Sequence, residues 1–176
     1  MESVRKVALT LLLEYEELNK YVNLSLSSHK TDSITGSDRA FLTALLYTTV
    51  ENKLRYDYYI AAFAKRSIDD VSRKAKNILR LGLCQLLDMD SVPDHVAVNE
   101  TVKLASSKGE RAFVNGVLRE VQRQKDSLPM PDKDKNFVRY LSIKYSFPQP
   151  LIKKYIEWLS KDECEKLLLA FNSKEK

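Results

Sequence analysis

Glycine and proline are scarce in this chain of 176 residues, with four and five copies. Four isolated glycines cannot form the Gly-rich loop that cradles a nucleotide phosphate behind a strand. No segment keeps up the two-residue alternation of a half-buried sheet, while leucine, alanine, lysine and glutamate dominate, so the class is all-α. The two cysteines, Cys84 and Cys164, lie far apart in helix-like stretches. That excludes a disulfide framework or a cysteine zinc site and fits a reducing, cytoplasmic home. No uncharged apolar run is long enough to span a bilayer, so no membrane partner is expected. The opening MESVRKVALTLLLEYEELNK is basic and then apolar, like a signal peptide, but Glu14, Glu16 and Glu17 cut the run short before any small-residue cleavage site.

A large charge excess is missing too. The net charge of +5 comes from 29 basic and 24 acidic residues, which permits a polyanionic partner without demanding one. The excess is unevenly placed: residues 1–58 hold seven basic and eight acidic side chains, leaving 22 and 16 for the remainder. A basic surface is therefore expected from the later helices.

What is present is helical periodicity. Val4, Val7, Ala8, Leu11 and Leu12 define a first helix from about Ser3, with Arg5 and Lys6 outside its first turn. Positive charge gains nothing from that end of the helix dipole, so the pair is either simply solvated or a phosphate contact. The apolar stretch Tyr21–Leu26 gives way to the polar run SSHKTDSITGSD, a loop. Ser37 or Asp38 is placed to cap the next helix, which carries Phe41, Leu42, Leu45, Leu46 and Val50 and ends near Lys53. Tyr56, Tyr58, Tyr59 and Phe63 follow at core spacing, which favours packing over base stacking.

From Val71 to Leu87 the chain is apolar on almost every side beyond Asn77, the pattern of a surrounded central helix. Gly82 within it predicts a close approach by a neighbouring helix. Arg80, in the same apolar setting, predicts an internal ion pair or a carbonyl contact. Arg73, Lys74 and Lys76 at its start are basic candidates for phosphate, as are Arg119 and Arg123, paired at i, i+4 on the helix spanning Arg111–Gln124. The run DSLPMPDKDK then ends the main domain near residue 127, and residues 128–176 form a small helical linker module.

The stretch VPDHVAVNETVKLA gathers Asp94, His95, Asn99 and Glu100. A metal would want a third ligand, and the other histidine, His29, lies in the polar run, so no metal site is expected. S-x-x-D from Ser91 to Asp94 reads as a helix start, with Asp94 as a cap. Asn99 and Asn115 each interrupt an apolar face. The expectation is a structural polar junction, with buried carboxamides bonded across helices or to backbone and with Gly116 allowing close contact.

The segments ILRLGLCQLLDMDSVPDHVAVNETVKLA and RAFVNGVLREV, preceded by SDRAFLTALLYTTVENKLRYDYYI, resemble the NusB-like RNA-binding domain over roughly residues 4–125. One branch of that family comprises stand-alone transcription antitermination factors, which begin with an arginine-rich run; here only Arg5 and Lys6 stand at the start. The other is the RsmB (Sun) type of ribosomal RNA methyltransferase, in which this domain precedes a catalytic domain that methylates carbon 5 of a cytosine in small-subunit rRNA. The tail VRYLSIKYSFPQPLIKKYIEWLSKDECEKLLLAFN resembles the linker of that second branch.

The resemblance implies a NusB-like bundle over residues 1–127 that docks on small-subunit rRNA, with a methyltransferase domain of the same chain as partner. The Gly-rich cofactor loop and the Pro-Cys motif of that branch are missing here. This chain is thus expected to hold no cofactor and no catalytic residue and to be inactive alone, with S-adenosylmethionine serving the full-length parent. The RNA-binding candidates are Arg5, Lys6, Arg73, Lys74, Lys76, Arg119 and Arg123. An antitermination factor and a helical protein-interaction module are the alternatives.

Overall fold

The computed structural model describes residues 3–18 and 31–173. The apolar stretch expected at 21–26 and His29 lie outside them. Among the described residues nine α-helices form: α1 (Val4–Leu18), α2 (Gly36–Glu51), α3 (Lys53–Ala64), α4 (Arg73–Asp88), α5 (Asp94–Val102), α6 (Lys108–Arg123), α7 (Phe137–Tyr145), α8 (Gln149–Trp158) and α9 (Lys161–Asn172). No strand occurs among these residues, so the all-α reading holds.

Helix α4 is the axis of the fold. Ser72 starts it by accepting a hydrogen bond from the Ala75 amide, and every residue from Asn77 to Leu86 is buried. It packs against α1, α2, α3, α5 and α6, which is why its sequence is apolar all round. Gly82 makes the closest of these contacts possible. A Cβ there would lie 2.7 and 2.8 Å from the two methyl carbons of Leu118 and 3.1 Å from the Thr101 methyl, so α5 and α6 approach over the missing side chain. No such contact surrounds Gly116, where a Cβ would meet nothing within 4 Å.

Arg80 is buried in an ion-pair network, as its apolar setting predicts. Its Nε and Nη2 donate to the two Asp57 carboxylate oxygens at 2.7 and 2.9 Å, and Nη1 donates to Glu16 at 2.6 Å and to Asn77 at 3.1 Å. This one guanidinium ties α1 and α3 to α4. Desolvation pushes the Glu16 carboxyl up, but hydrogen bonds from Asn77 and Arg80, with the charges of Arg80 and Lys53, outweigh it and leave the group below its ordinary value.

Two helix starts differ from the sequence reading. Helix α2 begins at Gly36, at positive φ, behind Thr35, and neither Ser37 nor Asp38 caps it. Helix α5 begins at Asp94 itself, with Pro93 in the N-cap position, so Asp94 sits in the first turn and pairs with Lys125 at 3.1 Å instead of capping.

Helices α7–α9 build a second, smaller core from Leu141, Tyr145, Ile152, Cys164 and Leu168. A complete capping box at Ser160 and Glu163 starts α9. The segment joining the two cores is itself packed: Leu128 and Met130 lie on the main core. Helix α7 rests on α3, where the Leu54 amide donates to Ser146 Oγ at 3.1 Å and the Arg139 guanidinium stands 5.8 Å over the Tyr58 ring. Tyr56 and Tyr59 are core residues.

Candidate nucleic-acid interface

The seven basic residues singled out in the sequence fall into separate groups. Arg73, Lys74 and Lys76 occupy the first turn of α4, while Arg5 lies beside Gln85 near its other end. At 1.5 Å per residue, Lys74 and Gln85 are about 16 Å apart along the helix.

At the far end, α1 brings Arg5 down onto α4. Its Nε donates to Gln85 Oε1 at 2.6 Å and its guanidinium stands 5.0 Å over the Phe41 ring. Gln85 is fixed in turn, donating to the Leu81 carbonyl at 2.9 Å and to Thr101 Oγ1 at 3.2 Å. Burial draws Arg5 below the ordinary arginine pKa, with the nearby Glu100 carboxylate opposing. Lys6 follows, exposed on the same turn.

Arg119 on α6 is held in the same way. Its Nη2 donates to Asn99 Oδ1 on α5 at 3.1 Å and its Nη1 to Gln122 Oε1 at 3.0 Å. Both partners are neutral amides, so the guanidinium is aimed without being neutralised. Asn99 is followed on α5 by Glu100, the residue whose charge reaches Arg5.

The other candidates have different surroundings. Arg73 lies 3.4 Å from Glu17, and Lys74 bonds Ser106 and lies 3.9 Å from Glu110. Arg123 pairs with Glu120 on its own helix, so its charge is offset. Lys76 makes no ion pair among the described residues. Arg119 and Arg123, neighbours by spacing, thus turn to different partners.

The buried polar junction expected of Asn99 and Asn115 does not form. Both residues are exposed. Asn99 does bond across a helix junction, but as a surface acceptor for Arg119, and Asn115 has no side-chain hydrogen bond among the described residues. An asparagine inside an apolar-looking run sits at the edge of the buried stripe as readily as within it, and one residue on a helix turns the face by about 100°. Gln85 and Gln122, which orient the two arginines, were missed. The i, i+3 spacing of Arg119 and Gln122 carried a signal; Arg5 and Gln85 are too far apart in sequence to carry one.

Among the described residues no cluster of His, Cys, Asp and Glu can hold a metal, and His95 is exposed. No helix there is long and apolar enough to cross a membrane. The arrangement is one of positioned cations, whose N–H groups can donate hydrogen bonds to phosphate oxygens.

The chain is 34% identical to the probable ribosomal RNA small subunit methyltransferase B of Bacillus subtilis (strain 168), over 94% of this chain and 37% of that protein. Its identity to the protein of the same description from Synechocystis is 30%, over 98% of this chain and 39% of that one. It thus spans under two-fifths of the length of these relatives. The transcription antitermination protein NusB of Photorhabdus laumondii is 31% identical over 57% of this chain and 75% of that protein. A chain in a crystal structure of a plectonemic RNA supercoil has the same fold, with a TM-score of 0.65 at 22% identity over 71% of this chain. Residues 2–123 match the NusB family, and the chain belongs to that family.

Proposed function

We propose that this chain is the RNA-docking, amino-terminal part of an S-adenosylmethionine-dependent 16S rRNA cytosine-C5 methyltransferase. The observation that carries this reading is the extent of similarity. The two proteins described as ribosomal RNA small subunit methyltransferase B match 94% and 98% of the chain, tail included, whereas the NusB antitermination proteins match 55–58% of it.

Residues 1–127 form the docking domain and 128–176 the linker toward the catalytic domain, where S-adenosylmethionine binds. Arg5, Lys6 and Arg119 hold rRNA phosphates, and Arg73, Lys74 and Lys76 form a second cationic group about 16 Å away. Arg123, offset by Glu120, contributes least. The protein works in the cytoplasm, where its rRNA is.

Two measurements test this. The 176-residue chain is expected to bind a small-subunit rRNA transcript with a log affinity that falls linearly with log salt; a flat salt response would remove phosphate docking. An antibody against residues 1–125 is expected to detect, in source cells, a species more than twice as heavy as 20.3 kDa. A species near that mass would remove the methyltransferase reading and favour antitermination.

A further inference from the structure

Between the two helical units lies a cleft of about 700 Å³, lined from the main unit by Thr48, Glu51, Asn52, Arg55 and Asp88 and from the tail by Lys144–Phe147 and Phe171–Ser173. Its volume falls in the range of about 300–1,000 Å³ typical of ligand sites. None of the basic residues proposed to hold rRNA phosphates lines it.

Its chemistry has three parts. Phe171 is an aromatic shelf: it stacks on Phe147 with ring centroids 5.8 Å apart and 28° between planes, yet stays 55% exposed. Leaving that much ring in water forgoes burial that a flat apolar partner would supply.

The second part is a set of acceptors that no protein donor among the described residues occupies. Asn52 donates its amide to the Thr48 carbonyl and Asn172 donates to the Tyr145 carbonyl, each at 3.0 Å, so both side chains are held in place while neither Oδ1 has a partner among the described residues. Exposed Glu51 makes no ion pair there either. The third part is a set of basic donors. Arg55 engages Asp88 through Nη2 alone, 2.6 Å from each carboxylate oxygen, and Tyr56 also donates to Asp88. Arg55 and Asp88 thus offset one another, with the Arg55 Nε left without a hydrogen-bond partner among the described residues, and Lys144 at the opposite wall is paired with Glu165 at 3.0 Å.

A fixed aromatic face, acceptors at the side and guanidinium N–H groups not used by Asp88 suit an unpaired nucleotide: the base stacks, its amino group donates, and its phosphate accepts from Arg55. A carboxylate in the lining, which would repel a bare phosphate, accepts well from the amino group of a base edge. We propose that this cleft seats one unpaired RNA nucleotide, with a base that carries an exocyclic amino group, as a second contact beyond Arg5, Lys6 and Arg119. The inference rests on the RNA-docking reading above.

The test compares short oligocytidylate with oligouridylate, whose base lacks the amino group, on the whole 176-residue chain by fluorescence anisotropy. Cytidylate is expected to bind about fivefold or more tightly. Phe171→Ala is expected to weaken cytidylate binding about tenfold, the order of one lost base stack, and Phe171→Trp to restore it. Because Phe171 is largely exposed, unchanged thermal melts are expected to separate this loss from unfolding.

Equal affinity for the two oligonucleotides would overturn the proposal. So would a neutral Phe171→Ala alongside a weakened Arg119→Ala, which would leave RNA on the basic residues alone and the cleft to a polypeptide. If the unaltered chain bound neither oligonucleotide in a salt-dependent way, the docking reading would fall together with this one.

Discussion

Arg80 shows how one residue can be expensive to keep and still more expensive to lose. Its side chain is 5% exposed, and its partners Asp57 and Glu16 are each 17% exposed, so all three charges are largely out of water. Replacing the arginine alone strands two carboxylates, and Arg80→Ala is expected to destabilise the fold by about 3–5 kcal/mol in urea melts. The pH response of the network has a definite sign. The folded-state pKa of Glu16 is lowered, so its contribution is present in full above the ordinary carboxylate value and is lost as pH falls through the lowered one. The stability difference between the parent and Glu16→Gln is therefore expected to shrink on acidification, and a difference that grew would contradict the network. Arg119 makes the opposite case. Its partners are amides, so Arg119→Ala is expected to leave the melt nearly unchanged while reducing both rRNA affinity and the salt slope, the latter by about one.

Elements were more legible than the contacts between them. The apolar surround of α4 and the close approach at Gly82 both follow from sequence, because a glycine inside a buried helix costs too much to keep without a neighbour to accommodate. Gly82→Ala tests that directly. The added methyl would gain about 1 kcal/mol of helix propensity but overlap the fully buried Leu118, and overpacking of this kind costs about 1–3 kcal/mol. A net loss of stability is expected, partly recovered by Leu118→Val; a stabilised Gly82→Ala would show that α6 can move away. Helix starts read less well. Ser72, Ser107 and Ser160 cap α4, α6 and α9, but at α2 and α5 the chain enters through Gly36 and Pro93, whose backbone geometry sets the start without any side-chain bond. The candidate site was half legible for the same reason. Basic residues can be picked from a sequence, but whether a carboxylate or an amide faces each one depends on helices 20 to 80 residues away, as with Asn99 and Gln85.

At the scale of the whole molecule, the two cores differ greatly in size, and stability should differ with them. The main core gathers residues from α4 and the five helices around it, whereas the tail's core rests on five buried side chains, one of them Cys164. A core that small contributes little on its own, so α7–α9 depend on their attachment to α3. That attachment includes one amide-to-Ser146 hydrogen bond, the Arg139 and Tyr58 contact, and the strap in which Tyr59 donates to Met130 Sδ at 3.8 Å. Native-state hydrogen exchange is therefore expected to show the amides of Leu141, Ile152 and Leu168 opening at a lower free energy than those of α4, in one cooperative unit. Ser146→Ala, which removes the acceptor for Leu54, is expected to speed exchange in α7–α9 without changing α4. Equal protection in both units would mean that the tail is part of the main cooperative fold. Since α7 and α9 supply one wall of the cleft, the same opening would separate Phe171 and Lys144 from Asn52 and Arg55. Any ligand that bridges the cleft must then raise protection in α7–α9 selectively, which ties the tail's marginal stability to the occupancy of the site it helps to form.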